Sequence, residues 1–246
     1  MEYWHLPLLI AGGFVCGIMN ALAGGGSFVT LPLLLLLGLP PQIANATNRV
    51  AILLQCAAGT ATYHAHHVLP WRHVPCLAVP MILGAVPGAW LASHMDESIF
   101  RKAAALLFAV MAMTVFVDPK RWDRPAGAGR IRPYLYPLFF LLGVYGGFLQ
   151  AGIGVLLIST FVLAGGYDVV RGNALKFALA FLFTAAALLT FTAAGQVRWL
   201  TGLALAVGTI AGGIVGARLV IAKGSRWVRV LVVVAAVGAV IKLLFG

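Results

Sequence analysis

Carboxylates are scarce. The 246 residues include six Asp and Glu, and Glu2, Asp96, Glu97, Asp118, Asp123 and Asp168 all fall at the ends of apolar segments or in loops. No acidic side chain is therefore expected inside an apolar stretch, where it would relay a proton or hold a metal cation. Charge of either sign is thin: 9% of residues are charged, against about 25% in soluble domains. Cysteine is confined to Cys16, Cys56 and Cys76, in apolar segments at no metal-ligand spacing. Three such thiols read as packing residues, not as a disulfide framework or a zinc site. Also missing are a buried Ser/His pair, an Asp/Asp pair and any His-Glu-x-x-His motif, so neither an enzyme nor a cofactor is expected.

What is present is apolar: 62% of residues are hydrophobic. Several stretches approach or exceed the ~20 residues that span hydrocarbon, which makes the chain an all-α integral membrane protein. The first, 6–22, has no basic leader and no A-x-A cleavage site, so it reads as mature structure. A net charge of +11 would suggest nucleic acid in a soluble protein. In a chain whose solvent is the lipid bilayer it reads as basic loops under the positive-inside rule, with no nucleic-acid partner. His64, His66 and His67 fall at an expected helix end and read as an interfacial cluster.

Sliding the chain by 128 residues superimposes its halves. Gly24 and Gly26 meet Gly152 and Gly154, Asn45-Ala46 meets Asn173-Ala174, Trp71 meets Trp199, and Gly88-Ala89 meets Gly216-Ala217. Identities among Ala, Leu and Gly are cheap by chance; paired tryptophans and asparagines at one offset are not. The expected organisation is a first repeat over 1–117, a basic linker over 118–133 and a second repeat over 134–246. Each half has five apolar segments, about 6–22, 27–38, 44–65, 74–93 and 99–117, then 134–150, 155–166, 172–194, 200–219 and 228–245. That amounts to three full spans plus a short broken-helix hairpin per repeat. An odd number of passages inverts one repeat relative to the other. Arg72, Lys120, Arg121, Arg124, Arg130, Arg132, Arg171, Lys223 and Arg226 then share a side, opposite Arg101, Lys102 and Arg198. The first side is cytoplasmic, and both termini lie outside.

The stretch NALAGGGSFVTLPLLLLLGLPP, Asn20 to Pro41, interrupts this pattern. A helix over 28–37 covers about half of a ~30 Å hydrocarbon core. A break at that depth survives only where protein or water lines it. The glycines Gly24, Gly25 and Gly26, with Ser27, are therefore placed at the tip of a hairpin inside the protein. Gly152 and Gly154 approach from the opposite side. Such tips present amides and the positive ends of half-helices to an anion, as inverted-repeat transporters do. Close helix packing is the alternative use of these glycines, and the one assigned to Gly84, Gly88, Gly212 and Gly216.

Beyond each short segment lie polar residues in apolar surroundings. Arg49 and Lys176 either counter a substrate's charge or snorkel to the interface. Asn45, Thr47, Asn48 and Asn173 either donate to oxyanion oxygens or serve as helix caps and interhelical links. Asn20 and Gln150, just ahead of the breaks, are candidates for the same cavity.

These stretches resemble the sulfite exporter TauE/SafE family. The resemblance rests on GIMNALAGGGSFVTLPLLLLLGLPPQIANATNRVAI, with its Gly-rich break, its LP-x-L-x-x-x-G-x-P-P loop and its Asn/Thr-rich helix start. GNALKFAL in the second half and GQVRW at Gly195–Trp199 fit the family's weaker motifs. The resemblance implies secondary transport of small sulfur-containing anions such as sulfite, thiosulfate or organosulfonates. The reading is export across the inner membrane by alternating access of the two repeats. An anion channel and a non-transporting membrane scaffold are the alternatives, and the oligomeric state is left open. Export needs no coupling ion, because moving one negative charge outward gains ~2.3 kcal/mol per 100 mV.

Overall fold

The computed structural model describes residues 5–114, 129 and 131–223. The expected segment 228–245, nearly all of the linker 118–133 and the end of the fifth segment lie outside the described residues. Every regular element among the described residues is helical: α1 (His5–Ala23), α2 (Ser27–Leu36), α3 (Pro41–Ala65), α4 (Val74–His94), α5 (Glu97–Thr114), α6 (Tyr136–Phe148), α7 (Ile153–Ser159), α8 (Val169–Ala193) and α9 (Trp199–Lys223). A 3₁₀ turn over Trp71–His73 leads into α4, and α7 relaxes into a π-helical turn over Thr160–Ala164.

Local chemistry sets these boundaries. Pro41 takes the first helical position of α3, where its fixed φ suits the helix and its missing N–H is not needed. Asp168 caps α8 by accepting from the Arg171 amide at 2.8 Å. Asp96 does the same ahead of α5, accepting from the Ser98 amide at 2.9 Å. These two signals start α3 and α8 four residues before Asn45 and Asn173, not at them. Asn45 and Asn173 therefore sit in the second turn and are not N-caps.

The offset seen in the sequence recurs in the elements. A shift of 128 residues carries Pro41 to Val169 and Ala65 to Ala193, so α3 and α8 coincide end to end. The same shift carries Trp71 to Trp199, where the next helical stretch begins. The packing exchanges under the shift as well. α1 lies along α9 as α6 lies along α4, and α3 packs on α9 as α8 packs on α4. Small residues make the first of these pairings close. A Cβ on Gly17 would stand 2.5 Å from the Thr209 carbonyl oxygen, and Gly84 and Gly88 meet the Phe140 and Val144 carbonyls just as tightly.

Among the described residues three helical stretches are long and apolar enough to cross a membrane: 71–94, 169–193 and 199–222. α3 has the length of α8 but carries Gln42, Asn45, Asn48, Arg49 and Gln55, which lower its hydropathy. Most of these polar groups point inward, with Asn45, Asn48, Arg49 and Gln55 buried. The outward faces run the other way: Leu83, Trp90, Leu200 and Val207 are exposed apolar side chains. A polar-lined interior under an apolar exterior is the pattern hydrocarbon demands.

Candidate functional site

The two backbone breaks meet inside the protein. Gly24 and Gly152 occupy the left-handed region at φ +77° and +76°, which glycine enters without a Cβ penalty. A Cβ on Gly24 would lie within 2.5 Å of the Gly154 Cα, so the two hairpin tips touch backbone to backbone. Gly26 is fixed by a different neighbour, for its Cβ would come 2.6 Å from the Cys16 carbonyl oxygen. Gly25 is the least crowded of the three, with Phe28 Cδ2 at 3.3 Å from a built Cβ. α2 starts at Ser27 and spans ten residues, about 15 Å at 1.5 Å per residue.

Each break leaves the helix ahead of it with carbonyls that lack intrahelical partners. Side chains from the other half supply them. Arg49 on α3 donates from Nη1 to Gly146 O at 3.0 Å and from Nη2 to Gly147 O at 2.6 Å. Asn45 Nδ2 donates to Phe148 O at 2.8 Å, completing the carboxyl end of α6. The guanidinium also lies 4.8 Å from the Phe191 ring centroid. In the opposite direction Lys176 on α8 donates from Nζ to Asn20 O at 2.6 Å, near the end of α1, a carbonyl that also accepts from the Gly24 amide at 3.0 Å. Two buried cations thus face helix carboxyl ends, where the helix dipole is negative. Arg49 is 0% and Lys176 2% exposed, about two turns inside their helices, so neither snorkels. Among the described residues the ion pairs are Arg101–Glu97 and Arg171–Asp168, both at the surface.

A cavity of about 20 Å³ opens beside the tips, room for about one water molecule. Five of the residues singled out from the sequence line it: Asn20, Ser27, Gln150, Gly154 and Lys176. Its other walls are Ile52, Cys56, Ile153, Leu157 and Ala180. Asn20 Nδ2 donates to Gln55 Oε1 at 3.2 Å, and Gln150 Nε2 to Thr184 Oγ1 at 2.5 Å. Asn48 Nδ2 donates to Ser27 Oγ at 3.2 Å, tying α3 to the start of α2. Asn173 is fully buried, and neither its Oδ1 nor its Nδ2 has a protein partner. Thr47 turns away and accepts from the Arg198 amide at 3.1 Å, ahead of α9. Arg49, Asn45, Asn48 and Asn173 stand outside the cavity lining. A larger hollow of about 330 Å³ between α3, α4 and α8 is almost wholly apolar and holds no buried charge.

Two polar groups of this region, Gln55 and Thr184, escaped the sequence reading, and Cys56, read there as a packing residue, lines the cavity. Each sits mid-helix in apolar surroundings, and only Gln55, which interrupts the apolar stretch 50–59 of α3, gave a signal. Among the described residues the lining holds one ammonium, two amides, a hydroxyl and a thiol but no carboxylate, so its formal charge is positive.

A family model described as sulfite exporter TauE/SafE matches residues 9–243. The chain is 28% identical over 234 residues to "Probable membrane transporter protein" of Haemophilus influenzae, covering 93% of this chain and 90% of that one. It is 29% identical over 247 residues to "Probable membrane transporter protein ORF9" of a Sinorhizobium species, covering 99% and 94%. Over 117 residues it is 30% identical to "Sulfite exporter TauE/SafE family protein 3" of Arabidopsis thaliana, a match spanning 46% of this chain and 24% of that protein. No solved structure matches the chain.

Proposed function

The chain belongs to the sulfite exporter TauE/SafE family of membrane transporters, and on that footing we propose that it exports small sulfur-containing anions across the inner membrane. Sulfite, thiosulfate and organosulfonates are the substrate candidates. The carrier comprises two inverted repeats, 1–117 and 134–246, joined by a basic cytoplasmic linker over 118–133, with both termini outside. Access alternates as helices tilt about a binding site at the hairpin tips. The coincidence of α3 with α8 at one offset supports the duplication.

One observation carries the reading: a buried ammonium, Lys176, lines a cavity beside two touching backbone breaks, with no carboxylate among the described residues to neutralise it. A charge held at that depth without a counter-ion calls for an anionic partner. Asn20, Ser27 and Gln150 add donors around the same space, and the tip glycines Gly24, Gly25, Gly26, Gly152 and Gly154 allow close approach to backbone. Arg49, Asn45 and Asn48 support the tips from behind, and Asn173 has free hydrogen-bonding capacity for an anion or its water.

The test is uptake of radiolabelled sulfite, thiosulfate and sulfoacetate into proteoliposomes under an imposed potential, comparing wild type with Lys176→Met. Saturable, potential-sensitive flux is expected, with KM raised about 10- to 100-fold in the variant, the equivalent of losing a ~1.5–3 kcal/mol hydrogen bond to a charged group. Flux that never saturates and shows no counterflow indicates a channel. Flux unaffected by Lys176→Met moves the site elsewhere.

A further inference from the structure

The cavity beside the tips has walls of two kinds. Lys176, Asn20, Ser27 and Gln150 supply donors, while Ile52, Leu157 and Ala180 are apolar. Charge is unevenly provided. Lys176 is the one cation in the lining. The second buried cation, Arg49, is outside the lining and donates to Gly146 O and Gly147 O, whereas Lys176 lines it while donating to Asn20 O. The titratable groups facing Lys176 from the neighbouring helices are thiols: Cys56 on α3, in the same lining, and behind it Cys16 on α1, bonded to Thr30. Among the described residues no carboxylate from α1, α2, α3, α6 or α7 reaches this space; the acidic side chains Asp96, Glu97 and Asp168 are all at helix starts.

We infer that the site carries a singly charged anion and discriminates against doubly charged ones, so that sulfite moves as hydrogensulfite. This rests on the transport reading above and narrows it. One buried ammonium neutralises one negative charge. A second charge in the same dry space would be left unpaired, and a buried unpaired charge is strongly disfavoured. The amide and hydroxyl donors fix the oxygens of the anion, while the apolar wall accepts a short alkyl group as readily as a hydroxyl-sized one. Lys176 is on this account the residue that sets the charge of the cargo.

The experiment uses wild-type protein in proteoliposomes with three probes. Methanesulfonate is singly charged at every working pH, thiosulfate is doubly charged, and sulfite passes between the two states near neutral pH. Methanesulfonate flux is expected to move one elementary charge per molecule and to report the pH response of the carrier itself, against which sulfite is normalised. Sulfite flux is expected to rise as pH falls and hydrogensulfite accumulates, and thiosulfate to move at least about tenfold more slowly, as burial of an unpaired charge requires. Thiosulfate flux equal to methanesulfonate, with two charges moved per molecule, overturns this inference and leaves the transport reading standing. Sulfite flux that rises with pH overturns it likewise. No flux of any probe overturns both.

Discussion

At the scale of single residues, Arg49 and Lys176 show how far a sequence reports on a buried charge. Their presence inside apolar runs was legible, because so few charges interrupt these helices. Their orientation was not. Asn48 and Arg49 are consecutive on α3, about 100° apart around the helix, and only Asn48 has Lys176 as its counterpart at the 128-residue offset; Arg49 is matched by Phe177. The two cations are therefore not equivalents, and each has its own task. Arg49 holds the last carbonyls of α6 and is a positioning residue. Arg49→Ala leaves two buried carbonyls unpartnered and is expected to lower stability by on the order of 3 kcal/mol, read as a fall in Tm in detergent. Arg49→Lys keeps a donor and recovers part of that loss. Lys176→Met contrasts with both, changing KM for the anion more than Tm.

At the scale of elements, glycines separate by what surrounds them. Gly24 and Gly38 both adopt positive φ, +77° and +82°. Gly38 has nothing within 4 Å of a built Cβ, whereas Gly24 meets the backbone of Gly154. Gly38→Ala is expected to cost only the left-handed strain of about 1–2 kcal/mol and to leave transport intact. Gly24→Ala adds an overlap that parts the two tips, and transport in proteoliposomes is expected to be lost. The break itself was readable from three consecutive glycines and a short apolar run. The start of α3 was less so: Asn45 looked like a cap, but Pro40-Pro41 had already begun the helix, and Asp168 did the same for α8. Gln55 and Thr184 were missed because helical periodicity does not say which face of a fully enclosed helix meets a cavity.

At the scale of the whole molecule, the main helix pairings join the two halves of the chain instead of closing within each. α1 with α9, α4 with α6, α3 with α9 and α4 with α8 each join the first half of the chain to the second. The sequence suggested a duplication but not this interlocking, since an offset between like residues carries no information on which surfaces meet. The packed groups are then drawn from both halves of the chain: α1, α3 and α9 on one side, α4, α6 and α8 on the other, with α3 and α8 meeting between them; on the proposed mechanism these are the groups that move. A cysteine cross-link from α1 to α9 beside the Gly13–Leu205 contact is expected to leave flux unchanged, and one across the α3–α8 seam to stop it. A flux that survives the second link removes the seam as the place of motion. Gly24 and Gly154, meanwhile, sit backbone against backbone with no side chain between them. Levers move least where they rest on their axle, and this pair has the character of a bearing. On the proposed mechanism helix ends would travel while the tips turn in place, and an anion seated beside them would pass from one face of the membrane to the other almost without moving.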